Sequence, residues 1–115
     1  MKIGEAIYHC KRISGDTDDI RQYAPPKRHI LKLGHITVQP ATGYSSVILY
    51  GAKISGTWIM IANANEYHGV FKAGDLMYIE GNAPKTGDVP GKGANAVIDH
   101  VFKQNKVLRI VLREY

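Results

Sequence analysis

Apolar residues recur along this chain in short runs that alternate with polar ones, and glycine, proline, asparagine or aspartate separates each run from the next. Nowhere do more than about ten residues keep the i, i+3, i+4, i+7 spacing of an amphipathic helix without a Gly or Pro interrupting it. Helix is therefore expected to be a minor component. The pattern predicts an all-β fold, a small β-barrel or sandwich of about six to seven strands with long loops. The predicted strands run from Glu5 to Ile13, Ile30 to Gln39, Ser46 to Tyr50, Thr57 to Ala62, Leu76 to Glu80, Ala94 to Phe102 and Lys106 to Arg113.

The clearest local signal is a C-terminal hairpin. Val97 to Phe102 and Val107 to Arg113 flank Lys103-Gln104-Asn105-Lys106, and asparagine tolerates the left-handed backbone that a tight turn demands. Alternation along the last strand places Leu108, Ile110 and Leu112 on one face, the predicted core side, and Val107, Arg109, Val111 and Arg113 on the other.

Two stretches break the pattern. Ser14 to Arg28 is polar, acidic at one end and basic at the other, and Pro25-Pro26 forbids helix and ladder pairing at that point. Gly81 to Gly93 carries four glycines and two prolines. Such a composition has few apolar anchors, so this loop is expected to be mobile in a free subunit. Long loops in small domains are commonly functional.

The length of 115 residues suits a single domain spanning 1–115. Lys+Arg 15 against Asp+Glu 10 gives a net charge of +5, which permits phosphate-bearing partners without demanding them, because the charges are dispersed. No apolar run approaches a membrane span, and Met-Lys-Ile-Gly-Glu at the start lacks a signal-peptide core. A soluble protein made in a cytoplasm, without membrane contact, is the expectation.

Candidate chemistry is sparse. Cys10 is the single cysteine, which excludes an internal disulfide and a multi-cysteine metal finger. It is expected to be a small, half-buried core residue. His9 and Cys10 are neighbours on a strand and point to opposite faces, so they cannot form a nucleophilic pair. His9, His29, His35, His68 and His100 fall in five segments without metal-ligand spacing, and scattered surface or edge histidines are expected. Gly87 to Gly93 resembles a phosphate cradle but runs into a strand where a P-loop opens a helix. Asp16, Asp18 and Asp19 share one polar loop, with Ile20 and Arg21 standing where calcium would need further oxygen ligands. No enzyme activity, cofactor or metal is therefore expected. Residue chemistry does leave a single-strand nucleic-acid-binding β-barrel as an alternative. Tyr44, Tyr50, Trp58, Tyr67, Phe71 and Tyr78 are interleaved with Lys27, Arg28, Lys53, Lys72 and Lys85, although most of these aromatics are expected to pack in the core or its rim.

Four fragments taken in order carry a resemblance: Ile36-Thr37-Val38-Gln39-Pro40 with Tyr50-Gly51, Phe71 through Pro84, Gly93 through Val101, and Asn105 through Leu112. Together they look like the small minor capsid proteins encoded in the head-tail region of tailed phages and prophages of Gram-positive bacteria, similar to head-completion or stopper proteins. The likeness covers residues 29 to 113 and rests on structural turns. It implies a structural virion protein, assembled in the bacterial host cytoplasm as a homo-oligomeric ring at the portal vertex. The implied partners are portal or adaptor and tail-completion proteins, with possible contact to packaged DNA. Asp18, Asp19, Arg21, Lys27, Arg28, Lys85 and Lys92, in the two long loops, are the candidates for neighbour contact or for lining a channel.

Overall fold

A computed structural model describes residues 3–13, 22–40 and 56–115. Among them the chain is nearly all β. In chain order the strands are β1 (Ala6–Cys10), β2 (Arg12–Ile13), β3 (Gln22–Tyr23), β4 (Lys27–Ile30), β5 (Ile36–Pro40), β6 (Thr57–Asn63), β7 (Leu76–Tyr78), β8 (Ala96–Gln104) and β9 (Val107–Glu114). One helical turn, α1 (Ala64–Tyr67), follows β6, with the Asn63 side chain accepting from the Asn65 and Glu66 amides as its N-cap.

The main sheet is antiparallel, in the order β4-β1-β7-β8-β9-β6-β5, and β2 and β3 form a separate two-stranded ribbon. Ile7 of β1, Ile36 and Val38 of β5, Met60 of β6, Met77 of β7, Ile98 of β8 and Ile110 of β9 belong to one buried cluster. Strands from both ends of the sheet thus line the same core, which requires the sheet to coil around it. The edge strands β4 and β5 are not ladder partners, so the barrel stays open.

The C-terminal hairpin forms as its sequence predicts. Gln104 pairs with Val107 across a two-residue turn, and Asn105 takes a φ of 58°. Leu108, Ile110 and Leu112 are buried in the core while Arg109 and Arg113 are exposed. A bulge between Ile98 and His100 adds one residue to β8, which bends that strand and lets the sheet curl.

The strand predicted from Ile30 to Gln39 is instead two strands. Gly34 has a φ of +81°, and the bridge between Lys32 and Ile36 closes a tight turn. The chain leaves one edge of the sheet at Ile30 and enters the other at Ile36. The polar stretch 14–28 is likewise not loop throughout, since Gln22–Tyr23 pairs with Arg12–Ile13, and Lys27 and Arg28 pair with β1. Pro25 and Pro26 lie between those strands and pair with nothing in a ladder. The strand predicted from Ser46 to Tyr50 lies outside the described residues.

The outer face of the sheet carries a second small core: Cys10, Leu76, Tyr78, Ala94 and Val97, with Tyr8 and Tyr23 packed against it. The loop after β7 covers it. Tyr78 Oη donates to the Lys92 carbonyl at 2.7 Å, the Asn95 carboxamide both accepts from Ile79 N and donates to Ile79 O, and Asn82 donates to that same carbonyl. The loop expected to lack anchors is therefore tied down by polar side chains at its ends, a role that apolar patterning does not register. Gly91 is buried with a φ of +90°, and a Cβ there would stand 2.8 Å from Leu76 Cδ1 and 3.3 Å from Tyr23 Cδ2. Gly91→Ala is expected to cost about 1–3 kcal/mol, through both the left-handed backbone and the clash. Gly87→Ala, with a φ of +89° and open space around it, should cost less; thermal melting of the two variants checks the order.

Candidate functional site

One end of the inner face gathers the buried polar and charged side chains of the described residues, His9, His29 and Asp75. Register sets the arrangement: Ile7 lies opposite His29 and His9 opposite Lys27 across β1 and β4, and His9 is opposite Met77 across β1 and β7. Period-2 alternation then turns His9, Lys27 and His29 to the core side, with Tyr8, Cys10 and Arg28 facing outward.

Asp75, 1% exposed, is the hub. The turn before β7, in which Gly74 has a φ of +93°, aims its carboxylate inward. Its Oδ2 accepts from His9 Nε2 at 2.7 Å and from Lys72 N at 3.1 Å, and its Oδ1 accepts from Arg12 N at 2.9 Å. One side chain thus joins β1, the start of β2 and the turn into β7. The backbone of Asp75 is also held, since its carbonyl accepts from Ile98 N at 2.9 Å.

Beyond His9 lies an aromatic stack. The His9 ring is 4.8 Å from Phe71 and 6.2 Å from His29, and His29 lies 5.7 Å from Tyr67, centroid to centroid. His29 Nε2 is buried and has no hydrogen-bond partner among the described residues. Burial, assisted by the nearby His9 and Lys27, lowers its pKa from 6.5 to about 4. The expectation of scattered surface or edge histidines fails here: His29 is on an edge strand, yet it is 9% exposed, and His9 is 4% exposed. The rings of Tyr67 and Phe71, delivered by the segment after β6, roof the edge strand.

A pH dependence of stability follows. A histidine with a depressed native pKa stays neutral in the fold while the unfolded chain takes up a proton. Stability is therefore intact above pH 6.5 and falls as the pH drops toward 4. The loss reaches about 3 kcal/mol. Urea unfolding at pH 7 and pH 4.5 measures it, and His29→Phe should flatten the difference; an equal slope in parent and variant would assign the effect to other groups.

Cys10 points away from His9 into the outer core and is fully buried rather than half-buried. Burial raises its thiol pKa, which leaves it a poor nucleophile. Among the described residues no group of three or more His, Cys, Asp or Glu side chains is placed to hold a metal ion, and no helix is long and apolar enough to cross a membrane.

The candidate contact residues are divided by the fold. Lys27 is exposed on the inner side of β4 and Arg28 is exposed on its outer side, opposite Tyr8. Lys85 and Lys92 are exposed on the loop that covers the outer core, with Lys92 Nζ 4.0 Å from Asp88. Asp18, Asp19 and Arg21 lie outside the described residues. Of the aromatics that a nucleic-acid-binding surface would use, Phe71 and Tyr78 are buried, Trp58 and Tyr67 are half-buried against the core, and Tyr44 and Tyr50 lie outside the described residues. The described members of that set present no open stacking platform.

Sequence reasoning missed Asp75 and the His9–His29 pair. A lone aspartate after a glycine reads as a turn residue, and only the pairing of β1 with β4 and β7 brings these groups together. Comparison of the chain with protein families, with curated proteins and with solved structures finds no match.

Proposed function

We propose that this chain is a head-tail joining subunit of a tailed phage or prophage, a stopper-type structural protein that assembles as a ring at the portal vertex. The observation that carries the reading is the loop 81–95. It is held against the outer face of the sheet by Tyr78, Asn82 and Asn95, and it turns Lys85, Lys92 and Val89, the last 69% exposed, toward solvent. A large apolar side chain displayed on an anchored loop is a preorganised contact, which loses little entropy when a neighbour covers it. A ring needs two different surfaces that meet head to tail, and such a loop supplies one. The order and character of the fragments that resemble head-completion proteins support the same reading, as does the commitment of Asp75 and Cys10 to internal packing. In this reading the ring meets portal or adaptor proteins on one side and tail-completion proteins on the other, and Lys85 and Lys92 face an acidic neighbour or DNA phosphate.

The test is the double substitution Lys85→Glu with Val89→Asp in the genome that encodes the chain. Both side chains are exposed, so the melting temperature of the purified variant should match the parent within a few degrees. Induced particles should accumulate as tailless heads that fail to retain their DNA, and the parent chain should appear by mass spectrometry in purified virions. Normal infectious particles from the variant, or absence of the parent chain from virions, would overturn the proposal.

A further inference from the structure

The inner-face cluster opens to solvent through a cleft of about 350 Å³ whose polar side chains, among the described residues, are amines and imidazoles: His9, Lys11, Lys27 and His68, between walls that include Pro25 and Val70. We propose that this cleft binds a phosphate group. Lys11 and Lys27 are both exposed, and among the described residues neither has an ion-pair partner. The buried carboxylate of Asp75 does not draw on them, because both of its oxygens are occupied by His9 and by the amides of Arg12 and Lys72. Asp75 also settles the role of His9: with Nε2 held on the carboxylate, the ring is fixed at the base of the cleft, and His68 stands exposed at the end of α1.

The donor chemistry selects the ligand class. Among the described residues no guanidinium lines the cleft, so they offer no planar fork to match a carboxylate in two parallel bonds. Ammonium groups act as converging point charges, which suits a compact, multiply charged oxyanion. The volume exceeds that of a bare ion and leaves room for an organic group attached to the phosphate. The ligand is therefore a phosphate, either a small molecule or one unit of a nucleic-acid backbone. The inference is independent of the joining reading, which rests on the opposite face of the sheet.

NMR titration of the full chain at fixed ionic strength tests it, with three probes: inorganic phosphate, a short mixed-sequence single-stranded oligodeoxynucleotide and a poly-glutamate peptide. Constant ionic strength removes general screening. Phosphate or the oligonucleotide should shift the His9 and His68 imidazole signals saturably, and Lys27→Gln with Lys11→Gln should weaken that binding by roughly tenfold while leaving the melting temperature in place. Tighter binding of the oligonucleotide than of inorganic phosphate identifies the nucleic-acid backbone as the source; equal or weaker binding identifies a small phosphate. Three results would overturn the site: no saturable shift with either phosphate probe, saturation by poly-glutamate alone, or unchanged affinity in the double variant.

Discussion

Asp75→Ala is expected to destabilise the fold by about 3–5 kcal/mol, because it strands three donors at once in a buried site. His9 Nε2, Arg12 N and Lys72 N all donate to this carboxylate, which is 1% exposed. The methyl that replaces it also leaves a void where β1, the start of β2 and the turn into β7 meet. Asp75→Asn retains the volume and one acceptor, so it should lose less, about 1–3 kcal/mol. Equilibrium unfolding in urea at pH 7 ranks the two, and hydrogen exchange locates the damage. The Arg12 and Lys72 amides should lose protection first, and retained protection at both in Asp75→Ala would show that the hub is dispensable. The His9 ring, freed from Oδ2, should also become more mobile, and this would weaken the phosphate site that it anchors.

Ile110→Ala is expected to cost about 2–5 kcal/mol, out of the roughly 5–15 kcal/mol that holds a domain folded. Ile110 is fully buried and lies opposite Met60 on β6 and Val101 on β8, at the centre of the widest part of the sheet. The cavity sits between two long ladders that cannot shift independently, so little collapse is available to fill it. A melting temperature lower by about 8–20 °C is the corresponding signature. Arg109→Ala, one residue away and exposed, should change it by a degree or two. Equal melting of Ile110→Ala and the parent would place this side chain outside the core.

What was legible in the sequence was local. The nearly all-β character, the hairpin turn at Asn105 and the division of β9 into a core face and an outer face follow from a period of two and from the backbone freedom of one residue type. Those signals span two to eight positions and depend on nothing distant. Even Cys10 and His9 are correctly assigned to opposite faces, because adjacent strand residues have no other choice. The break at Gly34 was missed because the apolar pattern runs on through the turn; the left-handed backbone at that glycine outweighs the β propensity on either side.

The candidate site was not legible, and the reason is sequence distance. Asp75 and His9 are 66 positions apart, and what joins them is the insertion of β1 between β4 and β7, an order that no local periodicity encodes. Burial is equally non-local: His29 reads as a polar residue on an edge strand, and it is apolar in its surroundings only because Tyr67 and Phe71 fold over it. The same holds for the loop after β7, whose glycines and prolines predict freedom until the Tyr78 hydroxyl and the Asn95 carboxamide meet its backbone. The β character of the chain and the facing of side chains within a strand were thus determined by the sequence itself. Which strands became neighbours, which polar groups were enclosed and which loop was anchored were decided only by tertiary structure, since a hydrogen bond or a buried surface exists only once both of its partners are in place.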